Sequence, residues 1–326
     1  MIKRILFAAL IFGASACLVC GADAADRLRI AIQSTGTVAW EIELIKARGL
    51  DKAANLDIET TELASTDAGR IALEGGAADL IVGDWLWVAR ERALGDKLLF
   101  TPYSSTLGAV MTRKDLPIHT LAELAGHSIG VAGGPIDKSW LLLRAAALGE
   151  GLDLARNARP SYAAPALIAE KLAQGEIETA LEFWNFCADL EARGFRRAIE
   201  MADVEKALGA SGPVAMTGYV FSESFAASHK DALQRYFAAA AQARRILAQD
   251  ATAWGPIKAR LRLRDDAALE VYRQRYLDGV PKRTIGEEAA DAQILYRRLA
   301  EVGGQELVGE AKELDVGLFY DPMTGE

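Results

Sequence analysis

The sequence predicts an α/β fold with mostly parallel sheets and a helical carboxyl-terminal part. Three observations support this. Strands and helices alternate over 28–103, the alternation begins again near 128, and from 222 onward the chain is almost entirely helical. Strand–helix–strand order places the strands in a parallel sheet with helices on both faces. The length of 326 residues suits one large domain or two medium ones.

The first α/β unit is predicted from short apolar or β-branched runs separated by helical segments. Its strands are expected at 28–32, 56–61, 78–84 and 97–103. Its helices are expected at 38–48, 67–74 and 85–94, and Gly49 ends the first of them. Asp84 therefore stands at the carboxyl end of a strand.

The second unit repeats this pattern. Thr120 and Glu123 form a capping box for a short helix at 120–126, and Gly133-Gly134-Pro135 leads into a helix at 136–148. Further expected elements are a strand at 128–132, a helix at 165–174, a strand at 181–185, extended runs at 108–113 and 214–221, and helices at 230–250, 265–277 and 287–302.

The first 25 residues have the pattern of a secretory signal peptide. Lys3 and Arg4 precede a short apolar run at 5–12, and small residues follow at 22–25. The run is too short to span a bilayer. We expect a soluble mature protein that begins at Ala25 or Asp26. Lipid attachment at Cys17 is a minor alternative.

Charge and cysteine content exclude several classes of protein. Loss of the first 25 residues removes Lys3, Arg4 and Asp23, which changes the formal net charge from −8 to −9. Such an acidic chain is a poor candidate for nucleic-acid binding. The mature chain keeps one cysteine, Cys187, so an intrachain disulfide is not possible. We find no cofactor motif, metal-ligand spacing or catalytic triad.

The stretch 181–185, Leu-Glu-Phe-Trp-Asn, suggests a binding cleft. Glu182 and Trp184 lie two apart, so in a regular strand their side chains point the same way. Open α/β sheets bind ligands beyond the carboxyl ends of their strands. We therefore expect Trp184 to cover the ligand and Glu182 to accept its hydrogen bonds. The alternative is a strand end with a packed tryptophan and a solvated carboxylate.

Four segments resemble those of a known family. They are Ala39-Trp40-Glu41 with Ala47-Arg48-Gly49-Leu50, then 72–80 (LEGGAAD within it), 121–131 (LAELAGHSIGV) and 174–181 (QGEIETAL). Their order behind a signal peptide resembles the periplasmic solute-binding proteins of ABC importers. The nitrate, taurine, alkanesulfonate and thiamine-precursor branch is the most similar. The resemblance covers about 28–302.

The resemblance implies a type II periplasmic-binding-protein fold with two lobes. Lobe one would be 26–108 plus 220–326, and lobe two would be 109–219. Two crossing segments, 108–113 and 214–221, would form a hinge. The protein would be a monomer without a cofactor. It would capture a small organic solute and deliver it to an ABC permease and ATPase complex.

The resemblance also implies a site between the lobes. The expected ligand-binding residues are Ser34, Thr35, Trp40, Asp84, Trp85, Tyr103, Ser104, Gly134, Asp137, Lys138, Ser139, Glu182, Trp184 and Asn185. Trp40 has the alternative of helix packing, and Asp84 that of capping the following helix. The turn at 133–135 could bind an anion beside Lys138 or be a plain turn.

Three carboxylates in the expected site favour a ligand with a positive or donor-rich part. Asp84, Asp137 and Glu182 would repel a bare anion, so a zwitterion or a chelated metal fits better. Two other functions remain open: an accessory or sensor protein of an exported enzyme system, and an enzyme on the same fold.

Overall fold

The computed structural model describes residues 24–33, 36–261, 263 and 265–325. Two five-stranded sheets form the centres of two lobes, so the two-lobe α/β fold predicted from the sequence is confirmed. Residues 1–23, which hold nearly all of the expected signal peptide and the lipid-attachment alternative at Cys17, lie outside the described residues. Among the described helices, none has the length and apolar content needed to cross a membrane.

The first sheet has the strand order β2-β1-β3-β10-β4. Its strands are β1 (Asp26–Gln33), β2 (Leu56–Leu63), β3 (Leu80–Asp84), β4 (Leu98–Ser104) and β10 (Thr217–Ser222). β1 pairs in parallel with β2 and β3, whereas β10 is antiparallel to both β3 and β4. Buried Leu28, Ile30 and Ile32 alternate along β1, as the sequence pattern predicts.

The second sheet has the order β7-β6-β8-β5-β9. Its strands are β5 (Ala109–Thr112), β6 (Ser128–Ala132), β7 (Arg159–Ala163), β8 (Thr179–Glu182) and β9 (Arg196–Glu200). β6 is parallel to β7 and β8, and β5 is antiparallel to β8 and β9. Each sheet thus takes one antiparallel strand just after the chain has crossed from the other lobe.

Helices cover both sheets. Those before β8 are α1 (Val38–Ala47), α2 (Leu50–Ala53), α3 (Thr66–Glu74), α4 (Trp85–Leu94), α5 (Lys138–Gly149), α6 (Leu154–Asn157) and α7 (Pro165–Gln174). The later ones are α8 (Trp184–Ala192), α9 (Met201–Ala207), α10 (Glu223–Ser228), α11 (Lys230–Gln249), α12 (Gly255–Leu261), α13 (Asp266–Asp278) and α14 (Ile285–Val308).

The chain crosses between the lobes at 105–108 and at 208–216. The runs expected to be crossings, 108–113 and 214–221, are instead mostly strands β5 and β10, because each pairs on both sides within a sheet. Gly108 has a φ of +107°, and a Cβ there would lie 1.9 Å from the Glu182 carbonyl oxygen. Only glycine fits this close crossing over β8.

The last two helices, α13 and α14, join the lobes. α13 packs against α8, where Arg275 donates to both carboxylate oxygens of Glu191 at 2.7 and 2.9 Å. α14 packs against α5 of the second lobe and α4 of the first. One apolar core therefore runs through both lobes and includes Trp85, Trp140 and Leu295.

Candidate ligand-binding site

A cavity of about 520 Å³ lies between the two sheets. Gln33, Val82 and Tyr103, near the carboxyl ends of β1, β3 and β4, form its first wall. Leu107 and Met216, from the two crossing segments, lie between the walls. This is the edge where open α/β sheets bind ligands.

Five helices begin at this cavity: α1, α3, α5, α7 and α8. α3 is capped by Ser65, whose hydroxyl oxygen accepts from the backbone N–H of Ala68 at 3.2 Å. α5 is capped by Asp137, whose Oδ1 accepts from the backbone N–H of Ser139 at 2.9 Å. The N-cap residues of the other three, Thr37, Ala164 and Phe183, make no side-chain cap hydrogen bond. The helix dipole makes these ends positive, and the first N–H groups of a helix lack an intrahelical partner. Two of these helix starts differ, because Pro165 has no N–H, and the N–H groups of Trp40 and Leu167 donate to the Thr37 and Ala164 carbonyl oxygens at 3.0 Å. The cavity therefore faces three uncapped, positive helix ends.

Lys138 supplies a formal positive charge at the cavity wall. Its Nζ lies 3.2 Å from Oδ2 of Asp84 in the first lobe, so the pair joins the two lobes. Burial would lower the pKa of Lys138, but the carboxylates of Asp84 and Asp137 outweigh it and raise this pKa above its usual value. Lys138 is therefore charged at neutral pH.

Asp84 does not line the cavity but stands behind Lys138. It caps α4, because its Oδ1 accepts from the backbone N–H of Trp87 at 2.9 Å. Arg70 approaches Oδ2 at 3.5 Å. Burial would raise the pKa of Asp84, but Lys138, the Trp87 N–H and Arg70 together lower it. Asp84 is thus an ionised, paired carboxylate.

Glu182 lies below the cavity rather than in it. The strand ends at Glu182 and α8 begins at Trp184, so the two-residue alternation expected for these side chains is broken. Glu182 is 1% exposed, and neither carboxyl oxygen has a hydrogen-bond partner. Burial raises the pKa of Glu182 to about 9, aided by the nearby Asp137. It is therefore protonated at neutral pH.

Trp184 lines the cavity and also joins the lobes. Its ring packs against Trp40 at a centroid distance of 6.0 Å, and against Tyr272 and Tyr276 at 6.3 and 6.5 Å. Trp40 is buried in this aromatic cluster and does not line the cavity. Its position agrees with helix packing, the alternative to ligand contact in the sequence analysis. Asn185, one residue on, lines the cavity in the first turn of α8.

The other expected residues divide between the cavity and its surroundings. Tyr103, Asp137 and Ser139 line it, and the Tyr103 hydroxyl lies 3.0 Å from that of Thr37. Ser104 lines a separate narrow crevice beside it. Ser34 and Thr35 lie outside the described residues.

Two expected residues are placed elsewhere by the helix starts. Trp85 is the first residue of α4 and is fully buried against Tyr296, so it belongs to the core and not to the site. Gly134 precedes the Asp137 N-cap by three residues and does not line the cavity. The turn at 133–135 therefore lies outside the cavity wall, whereas Lys138, three residues on, lies in it.

The sequence analysis missed several cavity residues. They are Gln33, Gly36, Thr37, Val38, Thr66, Val82, Thr106, Leu107, Ala164, Pro165, Ala166, Phe183, Phe186, Met216 and Thr217. One signal was available. Pro165 marks the start of a helix that has no capping side chain before it, and such a start at a strand's carboxyl end points to a ligand.

The expectation of an acidic site does not hold. Asp84 is paired with Lys138, Asp137 caps its own helix, and Glu182 is buried and protonated. Within the described residues, no group of three or more His, Cys, Asp or Glu side chains could hold a metal ion. Of the three carboxylates, only that of Asp137 lines the cavity, so the argument for a cationic ligand or a chelated metal loses two of its three groups.

A larger depression, of about 660 Å³, lies elsewhere on the first lobe. Arg29, Asp79 and Leu98 line it, near the amino ends of the strands. It contacts one lobe only and lies at the edge opposite to the ligand edge of an α/β sheet. The smaller cavity between the lobes is therefore the better candidate site.

Solved structures of several proteins share this fold. The aliphatic sulphonate binding protein SsuA from Escherichia coli is 20% identical over 90% of this chain and 91% of that one, with a TM-score of 0.70. The alkanesulfonate-binding protein SsuA from Xanthomonas axonopodis pv. citri, bound to MOPS, is 19% identical over 90% and 98%, with a TM-score of 0.65. At such identities the likeness establishes the fold.

The fold is also shared with an enzyme. The desulfurization enzyme DSZB is 15% identical over 87% of this chain and 95% of that one, with a TM-score of 0.58. No protein of curated function is similar enough in sequence to count as a relative. Residues 45–252, more than half of the chain, match the NMT1/THI5-like family. The resemblance drawn from the sequence motifs is confirmed, and the chain belongs to the NMT1/THI5-like family.

Proposed function

We propose that this protein is a solute-binding protein that captures a small organic anion between its lobes. The observation that carries the proposal is the meeting of α1, α7 and α8 at one cavity, each without a side-chain cap. Oxygen atoms of an anion accept hydrogen bonds from such free N–H groups, and the helix dipoles favour the negative charge. Lys138 adds a formal charge of the right sign.

The remaining walls suit an apolar part of the ligand. Val82, Leu107, Phe183, Phe186 and Met216 line the cavity around its polar helix ends. A cavity of about 520 Å³ falls within the usual size of small-molecule sites. A sulfonate, carboxylate or phosphate with a short hydrocarbon part combines both features. Two similar structures are sulfonate-binding proteins, which supports the sulfonate within this group.

Delivery of the ligand to an ABC permease and ATPase complex is part of the proposal. Its support is the family of the chain and the signal-peptide pattern of its first 25 residues. The mature protein would act in the periplasm as a monomer. Fractionation of the producing cells, with amino-terminal sequencing of the periplasmic protein, tests the location. Recovery only in the membrane fraction, acylated at Cys17, would contradict it.

Calorimetry with chemically matched ligands tests the binding function. The panel has one four-carbon chain with different head groups: butanesulfonate, butyrate, butyl phosphate and butylamine. We expect at least one anion to bind with a one-to-one stoichiometry and butylamine not to bind. Binding of butylamine in preference to all three anions would contradict the proposal, because positive helix ends repel an ammonium group.

A further inference from the structure

We propose that Asp84 is a positioning residue that holds the Lys138 ammonium at the cavity only when the lobes are closed, so that closure itself selects an anionic ligand. The inference rests on the proposed function and adds to it the source of charge selectivity. Asp84 lies outside the cavity and acts on the ligand through Lys138.

The first step is the placement of the pair. Lys138 is the first residue of α5, on the second lobe, and its side chain is about a third exposed. Its Nζ donates to Oδ2 of Asp84, at the end of β3 on the first lobe, at 3.2 Å. Lys138 lines the cavity and Asp84 does not. The ammonium therefore has a carboxylate behind it and the cavity in front of it, with two further N–H groups to donate.

The second step is that Asp84 itself is held firmly. Its Oδ1 accepts the backbone N–H of Trp87 as an N-cap, and its Oδ2 is shared by Lys138 and Arg70. The Arg70 guanidinium lies over the Trp87 ring, 4.9 Å from its centroid, which fixes the arginine in turn. A short chain of contacts thus runs from α3 through Asp84 to the Lys138 ammonium.

The third step is the charge balance. Arg70 is paired with Asp67 and Asp84, and Lys138 lies beside Asp84 and Asp137, so the charges of this cluster are matched within it. Among the described residues that line the cavity, Lys138 is the only cationic side chain. Asp84 is only 8% exposed, and charges in such a place are poorly screened by water. An anionic head group in the cavity makes a charge-assisted hydrogen bond with the Lys138 ammonium, whereas a neutral head group of the same shape makes a weaker one.

The fourth step links this balance to closure. The two partners belong to different lobes, so opening the cleft separates them. Lys138 then loses the carboxylate that fixes its position. A ligand that contacts the positioned ammonium binds the closed form better, and it shifts the population toward that form by this difference in affinity.

A double-mutant cycle tests the inference. The variants are Asp84→Asn, Lys138→Met and both together. Asparagine is also a good N-cap residue, so Asp84→Asn should keep the start of α4. The probes are butanesulfonate and its neutral analogue butanesulfonamide. Asp67→Asn is the matched control, because Asp67 also pairs with Arg70, at 3.1 Å, but its side chain is 80% exposed and makes no contact with Lys138.

We expect each single change to weaken butanesulfonate binding about tenfold or more, and the double change to weaken it no further than Lys138→Met does. Butanesulfonamide binding should weaken by a clearly smaller factor, because it loses only the share that comes from the shift toward the open form. Asp67→Asn should behave as wild type with both probes. Independent, multiplicative losses in the double variant would overturn the inference. So would equal losses for both probes, which would leave Asp84 as a helix cap only.

A measurement without ligand separates this inference from the proposed function. Small-angle scattering of the ligand-free proteins should give a larger radius of gyration for Asp84→Asn and Lys138→Met than for wild type and Asp67→Asn. Equal radii would overturn the inference whatever the ligand. If wild type binds no anion of the panel, the proposed function fails. The radii of gyration of the ligand-free proteins would still show whether the Lys138–Asp84 pair holds the lobes together.

Discussion

Trp184 is the residue on which the site and the lobe contact both depend. It belongs to α8 of the second lobe, yet it enters an aromatic cluster of the first lobe and packs edge-on against Trp40. The same ring lines the cavity. Aromatic pairs of this geometry add about 0.5–1.5 kcal/mol beyond the burial of their area. The sequence pointed to Trp184 through its place after a strand, but not to the partners that bury it.

Trp184→Ala should lower both stability and ligand affinity. Truncation of a buried tryptophan typically costs about 3–5 kcal/mol in the free energy of unfolding, measured by urea denaturation. Butanesulfonate affinity should fall about thirtyfold, the size expected for loss of an aromatic anchor. Trp254→Ala is the control, since Trp254 is buried in the same cluster but does not line the cavity. If Trp184→Ala binds butanesulfonate as tightly as wild type, Trp184 does not contact the ligand and serves only in packing.

Glu182→Gln should change how stability depends on pH. The pKa of Glu182 is raised from 4.5 to about 9 in the folded protein, mainly by burial. Between these values the unfolded chain binds fewer protons than the folded one, so this group lowers stability as pH rises. The effect approaches about 1.4 kcal/mol per pH unit at most.

The measurement is urea denaturation of both proteins between pH 5 and 9. Glutamine keeps the shape of the protonated carboxyl, so the two proteins should be similar near pH 5. As pH rises, the free energy of unfolding of the variant should increase relative to that of wild type. A difference that stays constant over this range would show that Glu182 titrates normally. Glu205 and Glu288 also have raised pKa values from burial, but they are present in both proteins and cancel in the comparison.

At the scale of elements, a new cap at an uncapped helix start should raise the stability of the protein and lower its affinity for an anion. Ala164 is the N-cap residue of α7, is exposed and lies at the cavity. Ala164→Asp should stabilise the protein by about 1 kcal/mol, since it supplies the missing cap. The same carboxylate occupies the positive end of α7 and repels an anionic ligand. We therefore expect a higher midpoint of unfolding together with weaker butanesulfonate binding.

Ala164→Asn is the matched control for this prediction. Asparagine caps a helix about as well as aspartate but carries no charge. Its affinity for butanesulfonate should lie between those of wild type and Ala164→Asp. Calorimetry and urea denaturation of the three proteins give both quantities. Equal affinities for the aspartate and asparagine variants would show that charge at α7 does not act on the ligand.

Element boundaries also explain which sequence predictions failed. The sequence predicted the strand at 78–84 and the helix after it, and Asp84 does end the one and cap the other. Side-chain direction was harder. Trp85 begins a helix as predicted but is buried against Tyr296, and Trp184 begins a helix where a strand was expected, so it does not follow the alternation of a strand. The strand ends at Glu182 instead of 185, so Trp184 no longer shares a strand face with Glu182, and the two side chains separate.

At the scale of the molecule, the sequence predicted two α/β units but not how they are joined. Strand alternation is a local signal, whereas the return of β10 into the first sheet and the packing of α13 on α8 are long-range contacts. The Lys138–Asp84 pair spans 54 positions in the chain. Nothing in the pattern around either residue marks the other, so a cross-lobe pair of this kind becomes visible only in three dimensions.

Ligand binding should bring the lobes together. The cavity is built from both lobes and from the two crossing segments, so a ligand contacts the full set of groups only in the closed form. Small-angle scattering should show a smaller radius of gyration with saturating butanesulfonate than without it. A bound ligand, proven by calorimetry, that leaves the radius unchanged would contradict this prediction.

A crystal structure with the tightest-binding anion of the panel tests the central claim most directly. The account predicts that the anionic head group lies at the starts of α7 and α8, within hydrogen-bond distance of their backbone N–H groups and of the Lys138 ammonium, with its hydrocarbon part against Leu107 and Phe186. A head group that points away from these helix ends, or a ligand seated in the depression beside Arg29, would contradict it.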